Sequence, residues 1–263
     1  IPNSFQILGT SVDDKSAQPH DLSPPLMDAL MNFLPEKLVG QNFWMRFSLV
    51  RDGASLDTLK QYVRAAHYTI IAIETPKGEV FGSFTSSRWR TQFGYYGGLP
   101  AFVWKMRHNR RTNSASLFDQ AQLESEIDVF MATDKDNCIQ VCRHDMLAIG
   151  GDESGPSEFD TDQDALQAAD EYGFAFCLED DLLRGTTSHC SSFHNPSLCG
   201  AGHKSSTFDV AGLEVWSLTP AFNVDEAEKL EMSKFFVEES TLLSLSTLSS
   251  PAGSTYGRDM DLS

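Results

Sequence analysis

Short segments rich in aromatic and β-branched residues recur between Phe43 and Leu218, and most of them end in Gly, Pro, Asn or Asp. This pattern constrains the fold more than any other feature. Segments of this kind become strands that must bury at least one face, and each turn signal reverses the chain. Residues 43–50 (FWMRFSLV) open the series and run into a turn at Arg51-Asp52-Gly53. Thr69–Glu74 (TIIAIE) and Val80–Thr85 (VFGSFT) flank Pro76-Lys77-Gly78 and predict a hairpin. Phe102–Met106 follows. Residues 127–132 and 138–142 are expected to pair across a turn at 134–137, and residues 147–149 lead into Gly150-Gly151. Residues 174–178 and 213–218 complete the set. The pattern predicts a mainly β fold with flanking helices, a two-sheet antiparallel β-sandwich.

Helical spacing is confined to a few places. Ser23 stands where an N-cap would, with Pro24 at the first helical position, and Leu26, Leu30, Phe33 and Leu34 follow until Pro35 stops the run. Ser55 is expected to cap a second helix with Leu56, Leu59, Val63 and Ala66 on one face. Val224, Ala227 and Leu230, then Phe235, Phe236 and Val237, predict a C-terminal helix over 221–243, a candidate clamp or a cover for the sandwich. Residues 109–126 are polar and read as an exposed loop. Residues 1–21 read as a linker or leader, and 22–220 as the domain. Residues 152–171 carry eight acidic side chains and no Lys or Arg, so they read as a solvated, mobile insert; the Ser-rich segment 244–263 reads as a disordered tail.

Composition excludes several classes. With 263 residues, 41% of them hydrophobic, the chain can bury a sizeable core and is neither wholly disordered nor a disulfide-stapled miniprotein. A formal charge of −17 argues against nucleic acid as the main partner, because phosphate binding needs a basic face. No apolar run approaches the length of a membrane span. Five cysteines at irregular spacing fit a reducing, cytoplasmic setting better than a secreted disulfide framework. The chain begins at Ile1 rather than Met and reads as a fragment.

Motifs for chemistry are sparse. Asp160, Asp162, Asp164 and Glu171 have the spacing of a calcium-loop ligand set, but Ala165 occupies the position where the sharp turn needs Gly. The expectation is an acidic surface loop, with weak divalent-metal response as an alternative. His189, Cys190, His194, Cys199 and His203 are zinc-type ligands without the tight Cys-x2-Cys knuckle. Cys138 and Cys142 share a face of one expected strand and read as core thiols, whereas Cys190 and Cys199 are candidate redox thiols beside His189 and His194. The Gly200–Ser205 stretch fails as a phosphate loop because His203 interrupts it, and neither a Gly-x-Gly-x-x-Gly nor a Gly-x-Ser-x-Gly occurs. Glu214 and Trp216 should share one face of their strand, so Glu214 needs a partner such as an Arg or a turn. No cofactor is expected.

Taken in order, these segments resemble one known family, the TLDc domain. The opening Phe43-Trp44-Met45-Arg46-Phe47-Ser48 and Arg51-Asp52-Gly53-Ala54-Ser55 are similar to the family's first block, and Gly78 to Phe84 with Trp89 to its second. Phe93-Gly94-Tyr95-Tyr96-Gly97 with Phe102, and Ala148-Ile149-Gly150-Gly151, extend the match. The most specific block runs from Gly173 through Asp181, Gly185, Ser188, Cys190, Phe193, Asn195 and Pro196, and Leu213-Glu214-Val215-Trp216 closes the pattern. The acidic insert, the Ser192-Phe193 pair and a long 109–126 loop depart from it.

The resemblance implies a helix-flanked β-sandwich without a catalytic centre: a protein-interaction module associated with oxidation resistance and with binding or regulating the vacuolar-type proton ATPase (V-ATPase). It implies that Gly82, Trp89, Gly150, Gly151, Asp181, Gly185, Ser188, Cys190, Asn195, Glu214 and Trp216 serve the fold or binding loops. The expected setting is a cytoplasmic monomer, reaching endomembranes through the pump. A thiol antioxidant or enzyme is the competing expectation.

Overall fold

Alternation along the central strands sorts apolar side chains onto two faces of one sheet. Ile71, Ile73, Phe81, Val103, Leu213 and Val215 point to one side and join a core shared with the second sheet. Ile70, Ala72, Phe84, Phe102, Trp104 and Trp216 point to the other and are covered by helical residues including Leu26, Met27 and Leu30. A two-sided burial of this kind needs a layer on each face, and the fold supplies one sheet and one helical layer.

The computed structural model describes residues 5–11, 13, 19–133, 138–151, 173–200 and 205–248. In chain order the elements are β1 (Ile7–Leu8), α1 (Pro24–Met31), β2 (Asn42–Ser48), α2 (Leu49–Asp52), α3 (Leu56–Val63), β3 (Thr69–Glu74), β4 (Val80–Thr85), β5 (Gln92–Tyr96), β6 (Phe102–Met106), α4 (Leu117–Ser125), β7 (Ile127–Met131), β8 (Gln140–Cys142), β9 (Met146–Ile149), β10 (Phe176–Glu179), β11 (Arg184–Ser188), β12 (Ser205–Asp209), β13 (Gly212–Thr219) and α5 (Val224–Leu248). Seven strands form one sheet in the order β1-β2-β13-β3-β4-β6-β7, and six form the other in the order β12-β11-β10-β9-β8-β5. Each pairing is antiparallel except β1 with β2. The expected antiparallel β-sandwich with flanking helices is the observed architecture.

Local chemistry accounts for several elements. Ser55 caps α3 by accepting a bond from the Thr58 amide at 3.3 Å, and Leu56, Leu59 and Val63 form its buried stripe. Ser23 precedes α1 with Pro24 at its start, but its side chain makes no cap bond; the hydroxyl donates to the Glu124 carboxylate on α4 instead.

Four expectations are corrected. Residues 1–21 are not simply a leader, because Ile7 and Leu8 pair in parallel with Phe43 and Trp44 and extend the sheet. The hairpin between 127–132 and 138–142 does not form. β7 ends the seven-stranded sheet beside β6, whereas β8 lies between β5 and β9 in the other sheet. The 109–126 loop contains α4, which lies against α1. The C-terminal helix runs on to Leu248, beyond the expected boundary at 243 and into the segment read as disordered.

Candidate functional site

Charge concentrates at one end of the seven-stranded sheet. Strand alternation on β13 places Glu214 and Trp216 on one face, and the Trp216 indole donates to Glu214 Oε2 at 3.0 Å. The same oxygen accepts from the Leu22 amide at 3.0 Å, and Glu214 Oε1 lies 3.2 Å from His20 Nδ1. The His20 ring meets Trp216 edge to face at 5.3 Å. His20 is 2% exposed and Glu214 3%, so this pair is sealed behind the segment leading into α1. The expected partner for Glu214 exists, and it is a His and a backbone amide rather than an Arg.

Arg110 completes the cluster from the other side. Its guanidinium pairs with Glu74 at the end of β3, donates to the Asp21 carbonyl at 2.8 Å and approaches Glu124 of α4 at 3.6 Å. Asp21 packs its carboxyl against Gly212. Burial, then the neighbouring Glu214 and Glu74 charges, raise its pKa to about 8, with Arg110 opposing. What the arrangement does chemically is hold the 20–24 segment, the 107–112 loop and α4 to the sheet by charge-assisted bonds.

A second assembly joins the two glycines after β9 to the loop after β11. Gly150 and Gly151 have φ of 77° and 153°, both in the region that favours glycine. A Cβ on Gly150 would overlap Cys190 Sγ, and one on Gly151 the Tyr95 hydroxyl. The Gly151 amide donates to Cys190 Sγ at 3.1 Å, and the Ser191 and Ser192 hydroxyls donate to the Gly151 carbonyl at 2.8 and 2.9 Å. Asn195 donates to the Ser188 carbonyl at 3.1 Å, and Ser188 Oγ to the Phe174 carbonyl at 2.8 Å. These side chains spend their hydrogen bonds on backbone and so fix loop shape.

The remaining motif residues lie elsewhere in the sandwich. Trp89 donates to Thr69 Oγ1 at 3.0 Å. Asp181 accepts from the Leu183 amide at 2.9 Å, across a turn in which Leu182 has φ of 57°. Gly82 and Gly185 allow close approach of the Ile71 and Cys177 carbonyls. The motif residues thus divide among the charged network, the glycine–serine loop and isolated bracing points rather than converging on one centre.

The thiol and metal expectations fare differently. Cys190 is 0% exposed and Cys199 5%, and burial raises both thiols, Cys199 to about 12. A reactive thiol needs access and a lowered pKa; the burial of Cys190 and Cys199 runs against both. Among the described residues no three His, Cys, Asp or Glu side chains are grouped to hold a metal, so His189, Cys190, His194 and Cys199 do not form a zinc site. His203, and the Asp160, Asp162, Asp164 and Glu171 set, lie outside the described residues.

Two surface features were not anticipated. On α4 the polar residue Glu124 is buried while Leu117 and Phe118 are 91% and 76% exposed. Along α5, Ala227 is buried and two arginines hold the helix to the sandwich: Arg46, stacked 3.9 Å over Trp44, pairs with Glu231, and Arg88 pairs with Glu238 at 2.9 Å beneath Phe235. Only the exposed pair had a possible sequence signal, apolar residues directly after a polar run.

The sequence profile of the TLDc domain matches residues 16–219, which include every strand except β1 and the whole charged network. The chain belongs to the TLDc domain family. Among similar TLDc-family relatives, Oxidation resistance protein 1 of Podospora anserina is 27% identical over 228 residues, which are 81% of this chain and 63% of that protein. The GTPase-activating protein skywalker of Drosophila melanogaster is 24% identical over 71% of this chain and 28% of its own length. TBC1 domain family member 24 of Xenopus laevis is 24% identical over 76% and 38%. The chain therefore spans less than two thirds of each of these relatives. Among the described residues of this TLDc chain, no helix is long and apolar enough to cross a membrane.

Proposed function

We propose that this chain is a non-catalytic TLDc interaction module that docks on the cytosolic sector of the V-ATPase and supports resistance to oxidative damage. Family membership over 16–219 supports the reading, as do relatives named for oxidation resistance. The structural observation that carries the interaction role is the exposed Leu117–Phe118 pair, since adjacent large apolar side chains facing water mark a surface used by another molecule. The motif residues fit the same reading: they brace loops through backbone bonds, which presents a fixed outline to a partner. The module acts as a monomer in the cytoplasm and reaches endomembranes only through the pump. The test is affinity capture from detergent-solubilised membrane extract with the folded chain as bait. Recovery of pump subunits supports the proposal; their absence from the eluate of bait with a verified cooperative melt sinks it.

A further inference from the structure

Three places in the chain put Arg three residues before a hydroxyl side chain: Arg88 and Thr91, Arg111 and Ser114, Arg184 and Thr187. The structure separates them. Thr187 is fully buried and donates to the Ala175 carbonyl. Thr91 is exposed, but its Arg88 lies under α5, bound to Glu238 and covered by Phe235. Ser114 differs on both counts. Every residue from 111 to 118 is exposed, and none from 112 to 116 lies in a helix or strand.

Within that run the hydroxyls are also distinct. Ser116 is engaged as the N-cap of α4: it accepts from the Asp119 amide at 3.1 Å and donates to the Asp119 carboxylate at 2.8 Å. Thr112 is tied by its amide to the Asn109 carbonyl at 2.8 Å. Among the described residues Ser114 has no hydrogen bond or other partner, and its backbone is free to be drawn into an extended groove. Arg111, three residues earlier in the chain, makes no ion pair among the described residues.

We propose that Ser114 is a phosphorylation site for a basophilic serine kinase, one whose substrate groove carries carboxylates that take Arg111 in a forked, charge-assisted grip. Ser114 Oγ attacks the γ-phosphorus of Mg-ATP; the bond from that phosphorus to the bridging oxygen of ADP breaks, ADP leaves, and the hydroxyl proton passes to the kinase's base. The product carries close to two negative charges two residues ahead of the α4 cap, on the side favoured by the helix dipole. It also turns the cationic tip that precedes Leu117 and Phe118 into an anionic one. The modification itself stands independently of any pump partner.

The experiment incubates the full chain with the catalytic subunit of cyclic-AMP-dependent protein kinase and Mg-ATP, then maps the phosphoryl group by mass spectrometry. One phosphoryl on Ser114 is expected. Ser114→Ala should lose it, Arg111→Ala should slow its transfer by about tenfold or more, and Ser116→Ala should leave the rate within about twofold. Equal melting temperatures of the variants exclude misfolding as the cause. Three outcomes overturn the proposal: labelling of Ser114→Ala at the wild-type level, an unchanged rate for Arg111→Ala, or no Ser114 label on the folded chain, whether or not a peptide of residues 108–120 is labelled.

Discussion

Asp21 occupies the space that a side chain on Gly212 would fill, so the segment entering α1 rests directly on the first residue of β13. The contact brings a carboxyl beside Glu214 and Glu74, with Arg110 opposing their influence. It has a consequence for stability that can be measured.

The Asp21 carboxyl rises from its ordinary 3.8 to about 8, so the folded chain holds a proton at neutral pH that the unfolded chain has lost. Its contribution to stability is therefore full below about pH 4, declines as pH climbs toward 8, and is flat above that. Asp21→Asn keeps the shape and removes the titration. The variant should be about 1–2 kcal/mol more stable than the parent at pH 8, less than a full desolvation effect because the carboxyl is partly open to water, with the gap shrinking as pH falls and closing only near pH 4. Urea unfolding at the two pH values checks this; a constant gap would show that Asp21 does not titrate in that window.

Gly82 sits in β4 where β3 passes close, and a Cβ there would overlap the Ile71 carbonyl and press on Trp104. Neither neighbour can retreat, since one is strand backbone and the other is fully buried in the core. Gly82→Ala should cost at least about 3 kcal/mol, the upper end of ordinary overpacking. The melting temperature should drop by roughly 6–12 °C in a domain of this size. A loss under 2 °C would mean the strands separate more easily than their register implies.

All five cysteines are buried, and none of them is joined in a disulfide. Burial lifts Cys142 from 9.0 to about 11, which lowers its thiolate fraction near neutral pH by about a hundredfold. A thiol reagent at pH 8 should leave the native chain unmodified over minutes and titrate five groups once denaturant is added. Rapid labelling of Cys190 or Cys199 without unfolding would restore a direct redox role.

How much of this was legible beforehand depends on how far apart the interacting residues stand. Thr69–Glu74, Val80–Thr85 and Phe102–Met106 appear with the expected bounds, because β-branched and aromatic runs between turn residues leave few alternatives. The hydroxyl-rich β11 and β12 lack apolar alternation and gave no strand signal; their pairing comes from register against one another and β10. α4 was hidden for a related reason. Its apolar residues Leu117 and Phe118 face outward and Glu124 inward, the reverse of the periodicity that marks a surface helix. Glu214 stood out as a polar residue in an apolar strand, but its partner His20 is 194 residues away, beyond any local pattern. The motif glycines were recognisable as positions of close approach, whereas what approaches them is a property of the folded chain alone.

The parallel pairing of Ile7 and Leu8 with β2 carries a practical meaning for anyone shortening this protein. A fragment cut at residue 16, where the family match begins, would keep the recognisable domain yet strip the outer rim from Phe43 and Trp44. Bare backbone donors and acceptors along a hydrophobic rim recruit other chains. Such a truncation would leave β2 as a bare edge strand, and any self-association it showed would trace to that edge rather than to a natural contact surface.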